Sequence, residues 1–196
     1  MMEEPEKNNE AEDGFLTGQL LLATAQLHGS FFAKTVIYIC SHNKEGAMGI
    51  VINQPIETIQ FHELLEQLNL KPGFNVPTPV VHLGGPVDTS RGFVLHSTDV
   101  TKSDTLKIGD HLGITGTTDI LRLIAEGRGP SKSLLALGYA GWGPGQLEHE
   151  LQENSWLTVN ADDGIIFDQD LNRKWEKALK KLGVDPVHLS ATAGTA

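Results

Sequence analysis

The sequence predicts an α+β fold with a mixed, strand-rich sheet flanked by about four helices, and three observations carry that reading. Short apolar or alternating runs recur along most of the chain, several of them bounded by glycine or proline. Glycine is abundant, at 21 of 196 residues, while aromatics make up only 6%. That balance favours tight turns and close backbone approaches over bulky packing. Four segments switch instead to a helical period. One core is expected to serve a single folded body at residues 15–184, between an acidic tail at 1–14 and a loose end at 185–196.

Taken in order, residues 1–13 carry six acids against Lys7 and almost no apolar side chains, so nothing there offsets the entropy of ordering. Gln19 to Thr24 is an uninterrupted apolar run, as expected of a strand buried on both faces. The stretch 35–55, TVIYICSHNKEGAMGIVINQP, reads as a hairpin with a loop of about four residues. Simple alternation puts Val36, Tyr38, Cys40 and His42 on one face and Ile37, Ile39 and Ser41 on the other. Thr58 is placed as the cap of a helix carrying Ile59, Leu64, Leu65 and Leu68. Short strands follow at Val80 to Leu83, Arg91 to Ser97, Leu106 to Ile108 and His111 to Thr115.

Thr117 or Thr118 caps a second helix, closed by Gly127 in the left-handed position. Ser133 to Ala140 is nearly all apolar and is therefore placed at the centre of the sheet. A short helix at Gln146 to Glu153 comes next, then strands at Trp156 to Val159 and Gly164 to Phe167. The last helix, Asp170 to Leu182, places Leu171, Trp175, Ala178, Leu179 and Leu182 on one stripe. Its basic residues Arg173, Lys174, Lys177, Lys180 and Lys181 are assigned to the solvated face.

Charge and composition exclude several functions. The formal net charge is −10, and the folded body without residues 1–13 keeps about −5, which argues against direct contact with nucleic acid. No apolar run reaches the roughly 18 residues needed to span a bilayer, and the acidic start has no signal-peptide character, so a cytoplasmic protein with no membrane contact is expected. The single cysteine, Cys40, rules out an internal disulfide and any multi-cysteine metal site. No metal or other cofactor is expected from the histidine and carboxylate spacings. The partner is left as an unknown small molecule or protein, and the oligomeric state is left open.

Two constellations invite chemistry. Cys40 with His42 has the residue types of a thiolate and its base, but a strand spacing of two holds their Cα atoms about 6.6–7 Å apart, and a lone apolar cysteine packs as a small hydrophobe. Polar side chains at strand ends beside glycine turns offer a binding surface instead. His42, Asn43, Asn53, Gly84, Gly85, Pro86, Arg91, His96, Tyr139 and Trp142 make up that candidate surface. No catalytic residue is assigned.

Four ordered blocks carry a family resemblance: residues 35–55, HLGGPVDTSRGFVLHS at 82–97, LLALGYAGWGPGQLEHELQENSWL at 134–157 and RKWEKALKKLGV at 173–184. Over about Gly18 to Val184 the chain resembles the AlgH/YqgE family of small bacterial proteins. The resemblance implies a cytoplasmic α/β protein with a partly barrel-like core and no established catalytic activity. A role in regulating genes is attached to the family name, so the resemblance adds transcriptional regulation to the readings. It picks out His42, Asn43, Gly46, Gly49 and Asn53, then Gly84, Gly85, Pro86, Arg91, Gly92 and His96. From the third block it adds Gly138, Tyr139, Trp142, Gly145 to Glu148, and Trp156. The expected function is non-enzymatic regulation through ligand or partner binding. A redox-responsive or enzymatic role through Cys40 or the glycine-lined pocket is the alternative, and transcriptional regulation the second.

Overall fold

The computed structural model describes residues 15–116 and 118–186. Thr117 and the two terminal stretches assigned from the sequence, apart from Asp185 and Pro186, lie outside them. Among the described residues one continuous sheet runs in the order β6-β7-β5-β8-β3-β2-β1-β9, with β4 added beside β8. The strands are β1 Gln19–Ala23, β2 Val36–Asn43, β3 Gly46–Val51, β4 Val81–Leu83 and β5 Val87–Ser97, then β6 Leu106–Ile108, β7 Leu112–Thr115, β8 Ser133–Trp142 and β9 Trp156–Asn160. The helices are α1 Phe61–Gln67, α2 Thr118–Ala125, α3 Gln146–Gln152, α4 Asp163–Ile166 and α5 Lys174–Lys181. The α+β class and the curled, half-barrel sheet are as expected, with five helices rather than about four.

The apolar runs behave as the patterns require. Leu20 and Leu22 enter a cluster on one face of β1, and Leu21 and Ala23 enter another on the opposite face. Burying each of these leucines contributes about 1.5–3 kcal/mol. The first cluster fills the concave side and is closed by α4 and α5, through Ile165, Ile166, Ala178 and Leu179. The second lies under α3, through Leu147. A third joins α1 and α2 to the far half of the sheet, through Phe61, Leu65, Ile120 and Leu121.

β8 belongs to both halves. Its first half pairs with β5, antiparallel, and with β4, parallel, while Ala140 to Trp142 pair with β3. The change of partner is made at Gly138, whose φ is +72°, a left-handed conformation that side chains with a Cβ reach only at a cost. Gly84 and Gly85 press against this point. A Cβ on Gly138 would sit 2.6 Å from the Gly85 carbonyl oxygen, and one on Gly85 would sit 2.0 Å from the Tyr139 carbonyl carbon. Gly84 N–H donates to Leu137 O and Gly84 O accepts from Val51 N–H, both at 2.8 Å.

Four local expectations are corrected. The hairpin turn is two residues, Lys44 and Glu45, because Asn43 still pairs with Gly46. A β-bulge at Cys40 breaks the alternation: Ile39 faces Gly49 and Ser41 faces Met48, leaving Cys40 unpaired. The α1 cap is Gln60 rather than Thr58, with Gln60 N–H donating to Glu63 Oε2 at 2.8 Å. Finally, Gly164 to Phe167 is not a strand. Asp162 accepts from Ile165 N–H at 3.0 Å and starts the one-turn α4, which turns both isoleucines inward.

Replacing Gly138 with alanine is expected to lower unfolding free energy by at least about 1–2 kcal/mol from the left-handed backbone alone, with the clash at Gly85 added. Urea denaturation of the variant measures this, and a loss within error of zero would refute the role given to Gly138.

Candidate functional site

The ten positions read from the sequence fall into five separate places. His42, Asn43 and Trp142 share one end of the sheet, with His42 and Trp142 both opposite Ala47 in register. Asn53 sits at the other end of β2, roughly 20 Å away by strand rise. There its side chain accepts from Val36 N–H and donates to Lys34 O, both at 2.9 Å. Gly84, Gly85, Pro86 and Tyr139 form the strand junction. Arg91 and His96 project from opposite faces of β5. Arg91 stacks its guanidinium 5.1 Å over the Phe93 ring, whereas His96 is wholly buried. The residues therefore do not line one groove.

Most of these side chains are committed to the fold. His42 Nδ1 accepts from Leu16 N–H at 3.1 Å, so the ring proton is on Nε2 and donates to Glu148 Oε1 at 3.0 Å. Phe15 packs edge-on against the same ring. His96 Nδ1–H donates to Ser97 O, leaving Nε2 to accept the Thr115 hydroxyl at 2.7 Å. Trp142 and Trp156 both donate their indole N–H to Glu150 Oε2, at 2.9 and 2.8 Å. That carboxylate on α3 ties β8 to β9.

The bulge separates the thiol from its supposed base. Cys40 stays with Tyr38 on the concave side, while His42, moved to the other face, meets α3. The thiol is buried, donates weakly to Tyr38 O at 3.7 Å, and is pushed up to about 12 by that burial. A thiol held so far above neutrality carries almost no thiolate.

A different place holds chemistry without a structural partner. A cleft of about 650 Å³ opens between the extended loop at 76–80, the segment 127–134 and the stretch 166–174. His82, on β4, lines it. Its Nδ1–H donates to Leu135 O at 3.0 Å, so Nε2 is the lone-pair nitrogen. Nε2 is buried and has no hydrogen-bond partner. Burial pushes the ring's proton affinity down to about 4; the Leu135 carbonyl opposes this, the charge of Lys174 adds to it, and the Val80 carbonyl opposes it more weakly.

Lys174 lines the same cleft and is 1% exposed. Its Nζ donates to Ile52 O at 2.8 Å and to Ile166 O at 2.7 Å. An ammonium has three N–H donors, and the described residues supply no third acceptor. Desolvation lowers its proton affinity to about 8, with Asp168 partly restoring it. Asp168 itself pairs with Lys177. The placement of Lys174 on a solvated helix face is thus corrected: it lies one turn before Ala178 on the buried stripe. That spacing was the available signal for Lys174, whereas nothing in the sequence marks His82 or Glu150.

The fold and these blocks place the chain among known proteins. An AlgH-like family model matches residues 20–187. The chain belongs to the AlgH-like family. Among AlgH-like relatives, the UPF0301 protein of Caulobacter vibrioides is 48% identical over 188 residues, covering 94% of this chain and 96% of that one. A UPF0301 protein of Jannaschia is 50% identical over 183 residues, covering 92% and 95%. The solution structure of AlgH from Pseudomonas aeruginosa superposes with a TM-score of 0.76 at 41% identity, over the whole of both chains. A crystal structure from Corynebacterium diphtheriae, at 17% identity and a TM-score of 0.66, shares the fold.

Two outcomes follow from the buried groups. Native Cys40 is expected to resist a thiol reagent at pH 8 and to react fully once unfolded; rapid native labelling would contradict its placement. For His82 the folded-state affinity is depressed, so the unfolded chain binds the extra proton between pH 4 and 6.5. Stability should rise with pH across that window by about 3 kcal/mol, and His82→Phe should flatten the rise. Unfolding free energies measured for both proteins at pH 4.5 and 6.5, between which about 2 kcal/mol of that rise falls, decide it.

Proposed function

We propose that the protein is a cytoplasmic, non-enzymatic regulatory protein that binds a small molecule in the cleft between β4 and α5. The observation that carries this reading is the buried, unpartnered Nε2 of His82. An orphaned buried acceptor costs about 1–3 kcal/mol, a cost that a bound donor removes. The walls suit an organic ligand: Val76, Pro79, Val80, Ile124 and Leu171 supply apolar surface around His82 and Lys174. A cavity of this size falls in the range that encloses small organic molecules.

Direct DNA binding has less support. Lys174 is buried, and Lys177 and Lys181 pair with Asp168 and Asp162, so the basic group of the last helix does not form an open patch. No helix among the described residues is long and apolar enough to cross a membrane.

A thermal-shift screen of metabolites tests the reading, since a ligand at 100 times its Kd adds about 2.7 kcal/mol. Val80 is 46% exposed on the cleft wall, so Val80→Trp should narrow the cleft without unfolding the protein. Hits should lose their effect on this variant, and hits that donate to Nε2 should stabilise His82→Phe less than the parent. Hits that stabilise Val80→Trp as well as the parent would rule the cleft out.

A further inference from the structure

On the reading that the cleft holds the ligand, we infer that the ligand class is a hydroxy acid with an apolar remainder, its carboxylate on Lys174 and its hydroxyl on His82. Three features of the cleft select that chemistry.

The first is the charge of Lys174. The ammonium is almost fully desolvated, yet its two hydrogen-bond partners are neutral carbonyls. The acid whose charge reaches it, Asp168, is bound to Lys177 and makes no contact with the ammonium itself. A buried charge without a contacting counterion is costly. An anionic oxygen meeting the third N–H would supply both the missing acceptor and the missing charge, in the shorter and stronger class of hydrogen bond.

The second is the tautomer of His82. Its Nδ1–H is fixed by the Leu135 carbonyl, so Nε2 can only accept. A carboxylate there would set lone pair against lone pair. The group that belongs beside His82 is an O–H or N–H donor, and a hydroxyl next to a carboxylate presents donor and acceptor together. The third is the lining, where Val76, Pro79, Val80, Ile124 and Leu171 form an apolar wall beside the polar groups, which gives an apolar remainder a place to sit. A phosphate ester fits less well, because Lys132 and Lys177 are already paired and Asp168 also faces the cleft.

Three matched probes separate these contributions: 3-phenyllactate, 3-phenylpropionate without the hydroxyl, and 3-phenylpropane-1,2-diol without the charge. Titration calorimetry at pH 7 should show phenyllactate binding at least about tenfold more tightly than either analogue, the worth of one good polar contact. Lys174→Met should erase the preference over the diol, and His82→Phe the preference over phenylpropionate. The anion also raises the proton affinity of Lys174. At pH 8, binding should therefore take up to about half a proton, read from two buffers of different ionisation enthalpy, and at pH 6.5 almost none. That measurement uses the unmodified protein and stands even if Lys174→Met fails to fold.

Equal binding of the three probes, or no proton uptake at pH 8, would overturn the hydroxy-acid assignment. If Val80→Trp still abolishes binding in that case, the cleft survives as the ligand site and the ligand class alone is wrong. If the probes are discriminated but Val80→Trp binds them unchanged, the cleft itself is wrong and both conclusions fall.

Discussion

The contact between Gly84–Gly85 and Gly138 is the constraint on which the remaining architecture depends. Two backbones approach there more closely than any side chain would permit. Because they do, β8 can turn through a left-handed residue and leave one set of partners for another. The half of the sheet holding β5, β6 and β7 and the half holding β1, β2, β3 and β9 are thereby built on one strand. Side-chain packing then covers the bend on both sides, and its three clusters follow the two halves and the concave space between them.

The same junction determines where the unusual chemistry lies. Among the described residues β4 is the one strand parallel to β8, and Gly84–Gly85 end it where it crosses towards β3. His82 therefore has its register fixed two residues before the contact, beside the start of β8. The end of β3, one strand further on, leaves the Ile52 carbonyl to be taken by Lys174. A histidine from β4 and a lysine from the last helix line one cleft across 92 positions of sequence.

The sequence shows the fold class and most strands because apolar runs of five to ten residues are local signals. β1 and β8 are legible for that reason, and so is α2, whose Gly127 closes the helix as its position predicts: its φ is +73° and Arg128 N–H reaches back to Leu123 O at 2.8 Å. What could not be read is register. One bulge residue at Cys40 reverses the face of His42, and no residue type marks it. Asn53 looked like an exposed polar group because its two bonds go to backbone more than fifteen residues earlier. Gly164 to Phe167 read as a strand because a one-turn helix is too short to show a period, and Asp162 is its only signature. Lys174 was misplaced for a different reason. A lysine on a helix stripe is counted as polar, although long-range carbonyls can make burial tolerable.

The cleft is assembled from three stretches of chain that come together only when α5 is docked. What holds α5 down is polar as well as apolar: two backbone carbonyls on Lys174 and the Trp175 indole donating to Ala23 O at 3.0 Å. Lifting that helix would expose the ammonium, free both carbonyls and uncover Ala178 and Leu179 of the main core cluster. A molecule seated between β4 and α5 bridges the sheet and the helix. Filling the cleft would therefore add contacts that hold that helix against the sheet.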